Sequence, residues 1–267
     1  MSAYKIEAGT AQHTGSRPQQ NDRAALFTTP AAPGYVLAVV ADGVQGGAVA
    51  SEQALHTARQ LFDEYRVGDT ASVPRVTELL RSIAQETHDV LMMNAITSGA
   101  EPQATLALLM LTPQQQAVWA TVGDTRVYRF SAGACTGRTS DADYVQHLVS
   151  QDGLPEEAAR KHRSSRLLAN HLGNKLKQPF ISTGTQQVKA GDAFLLCTDG
   201  LWQYFADTEL AAVIARKTPR EASQLLIDKA GERAQGKGDN CTMAILKMVA
   251  PPKEAPSYTV QKLRKAI

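Results

Sequence analysis

The chain has 267 residues, 43% of them hydrophobic and 20% charged, enough for one large domain or two small ones with an ample core. A formal net charge of +2 gives no global signal for nucleic acid or a membrane surface. The three cysteines, Cys135, Cys197 and Cys241, stand far apart without a Cys-x-x-Cys pair, which argues against a zinc knuckle or a redox dithiol and fits a reducing, cytoplasmic setting.

The N-terminal Met1-Ser-Ala-Tyr-Lys-Ile-Glu7 has no apolar signal region, and the apolar runs fall far short of the ~20 residues a membrane helix needs. Strands are expected at Tyr4–Ala8 and Ala24–Thr28, with the polar loop Gly15-Ser-Arg-Pro-Gln-Gln-Asn-Asp22 between them. Residues 35–41 are Val-rich and read as a buried strand. Leu55, Ala58, Leu61, Phe62 and Tyr65 share one face of a helix over Val49–Arg66, and Val76, Leu79, Leu80, Ile83, Thr87, Val90 and Leu91 share one of a helix over Pro74–Ser98. Ala104–Leu111, Ala117–Val122 and Arg126–Phe130 read as a three-stranded meander.

Residues 131–180 are polar, with short helical pieces expected at Tyr144–Ser150, Pro155–His162 and Arg166–His171; a segment of this kind between strands reads as a flap. Strands return at Phe180–Val188 and Ala193–Thr198. Helices follow over Asp207–Arg216, capped by Asp207, and Pro219–Ala234, with Pro in the first turn. Cys241–Met248 is the last strand, and residues 250–267 form a Pro-rich linker and tail after a domain over 1–249. Strands come in clusters, which argues for antiparallel sheets with helices packed outside, an α+β layered domain.

Acids recur at the strand ends. Asp42-Gly43 closes Val36–Ala41, Asp199-Gly200 closes Ala193–Thr198, Asp239-Asn240 precedes Cys241–Leu246, and Asp124 stands between Val122 and Arg126. Asp-Gly alone is a common turn dipeptide. Four strand ends carrying Asp exceed what turn chemistry asks for. Converging carboxylates repel one another and need cations between them, and oxygen-only ligands select hard ions such as Mg²⁺ or Mn²⁺. Gly43 lets the backbone turn there and lets its carbonyl approach a neighbour closely.

With these acids in order, the sequence resembles the bacterial metal-dependent serine/threonine protein phosphatases of the type 2C family, from about Ala8 to Met248. Arg17-Pro-Gln-Gln-Asn-Asp22 is similar to the family's Arg-x-x-Asn-Glu-Asp, and Asp42-Gly-Val-Gln-Gly-Gly47 to its Asp-Gly-x-Gly-Gly, with one residue more. Val122-Gly-Asp-Thr-Arg-Val-Tyr128, Cys197-Thr-Asp-Gly-Leu-Trp202 and Asp239-Asn-Cys-Thr242 complete the series in the family's order.

The resemblance implies a four-layer αββα sandwich, two central antiparallel sheets flanked by helices. It implies two Mg²⁺ or Mn²⁺ ions in the cleft: Asp42 bridging them, the Gly43 carbonyl on one, Asp199 and Asp239 on the other, and Asp22 directly or through a water. Arg17 would grip the substrate phosphate, and Asp124 would serve a third, weaker ion. The implied reaction is hydrolysis of phosphoserine and phosphothreonine by a metal-activated water. The implied partners are phosphoprotein substrates of a bacterial Ser/Thr kinase, with no nucleic acid or membrane partner and a monomeric chain.

Several positions depart from the family pattern. Gln20 and Asn21 remove a possible acidic ligand, Val44 stands where animal members carry a His, Ala142 interrupts Asp141-Ala-Asp143 where the flap has Asp-His-Ser, and Gln203 replaces an acid. The core carboxylates Asp22, Asp42, Asp199 and Asp239 remain, so an active enzyme is expected. The alternative is a catalytically weak regulatory or binding module on the same fold. A Cys-dependent phosphatase needs Arg six residues after Cys, where this chain has Asp141, Gln203 and Lys247. Gly231-Glu-Arg-Ala-Gln-Gly-Lys-Gly238 falls short of a P-loop because Gly238 replaces the Ser/Thr that would hold Mg²⁺.

Overall fold

The structure is a computed structural model; it describes residues 4–67, 72–139 and 170–251, with the isolated positions Val149, Pro155 and Ala158. Among the described residues, ten strands form two antiparallel sheets. In chain order the first elements are β1 (Lys5–His13), β2 (Arg23–Phe27), β3 (Val36–Gln45), α1 (Val49–Glu64), α2 (Val73–Ser98), β4 (Gln103–Leu111), β5 (Gln116–Val122) and β6 (Arg126–Ser131). Then come β7 (Ala134–Arg138), β8 (Ser182–Gln187), β9 (Ala193–Cys197), a one-turn helix α3 (Asp199–Trp202), α4 (Asp207–Arg216), α5 (Pro219–Ala234) and β10 (Cys241–Val249). One sheet has the order β1-β10-β9-β6-β7 and the other β2-β3-β4-β5-β8.

The Val- and Leu-rich runs are buried on both faces because each sheet is covered twice. Leu37, Val39 and Ala41 of β3 pack with Leu80, Ile83 and Leu91 of α2 and Ala54 and Phe62 of α1. The intervening Ala38 and Val40 pack with Phe194, Leu196, Ala244 and Leu246 of the other sheet. Leu195, Cys197, Met243 and Ile245 turn outward onto Leu210, Ile214, Leu226 and Ile227 of α4 and α5. The period-2 alternation of each strand thus feeds two apolar layers at once. The result is the αββα sandwich, α+β in class, and Cys197 and Cys241 are buried strand residues within it.

Some elements differ from expectation at their ends. β1 runs to His13 because it pairs along its whole length with β10. Asp207 is the first residue of α4 rather than its cap: the Ala206 N–H donates to Glu209 Oε2 at 3.0 Å, and Asp207 accepts from Arg138 at 3.2 Å. α5 is capped by Thr218, whose hydroxyl accepts from the Glu221 N–H at 3.3 Å, with Pro219 at the first position. β7, inside the stretch read as a flap, adds an edge strand beside β6. The helical pieces expected at Tyr144–Ser150, Pro155–His162 and Arg166–His171, and Asp141-Ala-Asp143, lie essentially outside the described residues. Asn170 and His171, which are described, are not helical, and Leu172 bridges to Ala104.

Candidate active site

Strand parity brings the acids to one end of the gap between the sheets. On β3, Ala38 and Val40 face the other sheet, and Asp42 is the next residue of that parity. Ala24 and Leu26 set the parity that Asp22 continues, Phe194 and Leu196 set that of Thr198, and Ala244 and Leu246 set that of Thr242. At this level the apolar filling stops and a polar layer of carboxylates and threonines begins. Beneath it, the buried hydroxyls of Thr105 and Thr125 bond to each other at 2.5 Å, and Thr105 stands opposite Asp42 in the register.

β3 does not end at Asp42-Gly43. It continues to Gln45 with a register shift between Gly43 and Gln45, and the break leaves Val44 44% exposed. A Cβ on Gly43 would lie 2.6 Å from the Gly47 carbonyl oxygen and 2.8 Å from that of Asn21, so no other residue fits there.

Asp22 is fully buried, and its Oδ2 accepts from the Thr198 hydroxyl at 2.9 Å. Its carboxyl titrates at about 6: burial pushes it up, Asp199 adds repulsion, and hydrogen bonding to Asp42 and Thr198 pulls partly back. Asp42 is pushed well above the carboxylate range by burial, then by the charges of Asp22, Asp199 and Asp124. Asp199, at the start of α3, is pushed up to about 6 by burial and by Asp124 and Asp239. The Gly200 N–H and Arg17 oppose that rise. Asp22, Asp42, Asp124, Asp199 and Asp239 therefore belong to one electrostatically linked group.

The loop carrying Arg17 and Asp22 is stitched to the start of β10. The Ser16 N–H donates to the Gly238 carbonyl at 2.8 Å. Asn240, 4% exposed, accepts from the Asn21 N–H at 2.7 Å and donates to the carbonyls of Thr14 at 2.7 Å and Gln19 at 3.0 Å. Arg17 forks onto Asp239, Nε to Oδ1 at 2.7 Å and Nη2 to Oδ2 at 2.5 Å, at a half-exposed position. Asp124 lies in the β5–β6 turn, where its carbonyl accepts from the Trp202 indole at 3.0 Å.

Thr198, Thr242, Asn240 and the Thr105–Thr125 pair were not singled out as site residues from the sequence. A polar residue at the last inward-facing position of an apolar strand was the available signal, and Thr198 after Phe194 and Leu196 carries it.

The donor set is oxygen throughout, as hard divalent ions require. Four buried polar atoms here, Gln20 Nε2, Asn21 Oδ1, Asp22 Oδ1 and Thr242 Oγ1, have no hydrogen-bond partner among the described residues, an arrangement that costs folding energy unless a ligand or water meets it. Among the described residues no three His, Cys, Asp or Glu side chains already enclose one point as a metal cage. Asp239 has both oxygens engaged by Arg17 instead. The residues present fit a divalent-cation site in charge and donor type.

The profile of the protein phosphatase 2C family matches residues 9–226, most of the chain, and the protein belongs to that family. Its enzyme class is protein serine/threonine phosphatase. The serine/threonine phosphatase Stp of Listeria monocytogenes is 28% identical over 218 residues, covering 79% of this chain and 83% of that one. The S. agalactiae serine/threonine phosphatase superposes with a TM-score of 0.73 at 22% identity, covering 91% of this chain and 99% of that one. The catalytic domain of PstP, whose structure holds two manganese ions, gives 0.67 at 23% identity over 91% and 98% of the two chains. Among the described residues no helix is long and apolar enough to cross a membrane.

Proposed function

We propose that this chain hydrolyses phosphoserine and phosphothreonine on proteins at a centre of two Mg²⁺ or Mn²⁺ ions held by Asp22, Asp42, Asp199, Asp239 and the Gly43 carbonyl. The observation that carries this reading is the gathering of Asp22, Asp42 and Asp199 at one end of the gap between the sheets, where burial raises all three and Asp199 further raises both Asp22 and Asp42. Acids gathered in this way, Asp22 fully buried and Asp42 and Asp199 half-buried, are poorly suited to a structural role and well suited to sharing cations. The manganese-bound PstP relative supports the choice of ion. A bound ion pair supplies an activated water and neutralises charge on the phosphoryl oxygens.

The chain's own residues do the rest. Thr198 fixes the Asp22 carboxylate through Oδ2, leaving Oδ1 without a hydrogen bond among the described residues. Gly43 lets the β3 backbone come against Asn21 and Gly47, an approach that a Cβ would block, and its carbonyl would serve as one ligand. Arg17 offers a planar fork matched to two phosphate oxygens. Asp124, whose charge raises Asp42 and Asp199, would serve a third, weaker ion. Val44 offers no proton, so the leaving alkoxide would take its proton from a metal-bound or cleft water or from another residue. The substrates are phosphoproteins made by a Ser/Thr kinase, and the catalytic domain spans 1–249, with 250–267 as linker and tail.

The test is turnover of p-nitrophenyl phosphate and a phosphothreonine peptide after chelation and after adding back Mn²⁺ or Mg²⁺. Activity should vanish and return. Full activity in excess EDTA, with no metal found by elemental analysis, would end the proposal. Tight metal binding without turnover would point to the binding-module alternative.

A further inference from the structure

We propose that Arg17 is the counter-ion that a divalent cation displaces from Asp239, so that metal binding at Asp239 and phosphate binding at Arg17 are coupled through one side chain. The inference rests on the reading of Asp239 as a metal ligand and goes beyond it. It begins with stoichiometry: the guanidinium donates Nε to Oδ1 at 2.7 Å and Nη2 to Oδ2 at 2.5 Å, engaging both carboxylate oxygens and one bidentate edge of the fork, with Nη2 common to both edges. One fork cannot serve Asp239 and a phosphate with the same two donors, and the oxygens in the fork are poorly placed to accept a divalent cation. Arg17 also lies within electrostatic reach of Asp199 and Asp42, so it acts as a local positive charge on the acid cluster.

The geometry permits the exchange. The pair sits at the rim, with side-chain exposures of 52% and 36%, so the Arg17 side chain can swing without opening the core. The backbone on either side is held: Ser16 is bonded to Gly238, and Asn21 to Asn240. Asp239 itself stays anchored when Arg17 leaves, because its Oδ1 also accepts from the Asn240 N–H at 2.8 Å. A cation arriving at Asp239 would then release a charged, preformed fork at the place where the phosphoryl group must bind. By linkage, phosphate drawing Arg17 away would strengthen cation binding by the same factor.

An exposed ion pair contributes ~0.2–1 kcal/mol, and the loss of a neighbouring positive charge adds to that on removal. Arg17→Ala should therefore bind Mn²⁺ roughly two- to tenfold more tightly, a change of up to ~1.4 kcal/mol. If Arg17 instead held Asp239 in readiness for the ion, the same variant would bind Mn²⁺ more weakly. The sign separates the two roles.

The measurement is isothermal titration of the full chain with Mn²⁺ after chelation, for wild type, Arg17→Ala, Arg17→Lys and Asp239→Asn. Folding is checked by urea midpoint. Arg17→Lys keeps the charge without the fork and should fall between wild type and Arg17→Ala. A second titration repeats the series with inorganic phosphate present. Phosphate should tighten Mn²⁺ by a larger factor in wild type than in Arg17→Ala. Unchanged or weaker Mn²⁺ binding by Arg17→Ala, or an equal phosphate effect in both, overturns the proposal. Its failure is distinct from that of the underlying reading. If Asp239→Asn retains the full Mn²⁺ stoichiometry and affinity, Asp239 is no ligand and the metal assignment falls; if Asp239→Asn loses an ion while Arg17→Ala gains nothing, only the exchange falls.

Discussion

Replacing Asn240 by alanine tests whether the stitched loop, rather than the acids alone, makes the site. The side chain is 4% exposed and makes three hydrogen bonds, at 2.7, 2.7 and 3.0 Å, to the Asn21 N–H and the carbonyls of Thr14 and Gln19. A buried group left unpaired costs ~1–3 kcal/mol. Gln19 is exposed and Thr14 and Asn21 are half-buried, so water can replace part of the loss. The expected destabilisation is about 2–4 kcal/mol by urea unfolding. Asn240→Asp should be at least as damaging, because it turns a carboxylate oxygen toward two carbonyls and adds charge beside Asp239. The freed loop carries Arg17 and Asp22, and a shift of about 1 Å there should cost on the order of 100-fold in kcat/KM on p-nitrophenyl phosphate. A loss below ~0.5 kcal/mol, the range of an ordinary surface change, together with unaltered kcat/KM would refute the reasoning.

Three further outcomes follow from individual groups. His171, 9% exposed, is depressed by burial to about 4, so the unfolded chain takes up a proton first; stability present above ~6.5 is lost as pH falls toward 4, by about 3 kcal/mol, and His171→Gln should flatten that slope in urea titrations between pH 4.5 and 7.5. Asp42 is raised, so its charged form opposes folding; in chelator at pH 7.5, Asp42→Asn should raise the urea midpoint by an amount equivalent to ~1–2 kcal/mol while phosphatase activity is lost, and a lowered midpoint would contradict the repulsion argument. Val44 is exposed enough to accept a larger ring, so Val44→His should raise phosphothreonine-peptide turnover relative to p-nitrophenyl phosphate, with the gain fading as pH passes ~6.5; an unchanged ratio would place leaving-group protonation elsewhere.

What the sequence displayed was the pattern that one strand can carry by itself. The Val36–Ala41 and Ala193–Cys197 runs, the 3.6-residue periodicity of the two long helices and the acid after each run were all readable, because each is local. The bulge at Val44 was not: it depends on β4, whose register against β3 shifts between Gly43 and Gln45. β7 was missed because Ala134–Arg138 alternates exposed and half-buried residues on an edge, with little apolar contrast to mark it. The Arg17–Asp239 fork joins residues far apart in the chain, and nothing in Arg17-Pro-Gln-Gln-Asn-Asp22 distinguishes an arginine aimed at phosphate from one aimed at a carboxylate. Asn240 was visible as a neighbour of Asp239, but its three partners come from the other end of the chain.

The same alternation that builds the core also explains why the acids can be afforded at this place and not elsewhere. Asp22, Asp42, Thr198 and Thr242 occupy the inward parity of four different strands, one step past the last apolar pair between the sheets. A carboxylate one step deeper would meet Val40, Leu196 and Ala244, all fully buried and without a donor to offer. One step outward it would meet solvent and lose the burial, and the weaker repulsion from neighbouring acids, that lift Asp22 and Asp199 to about 6. The polar layer stands where the apolar filling ends but water does not yet dominate, and the Thr198 hydroxyl and the Gly200 N–H hold the acids there against their own repulsion. Elevation of a carboxyl by about two units corresponds to ~3 kcal/mol working against the charged form. On the proposed reading, the surrounding sheets hold that energy and cations meeting the acids would return it, so a demand for metal would be built into the polar layer itself.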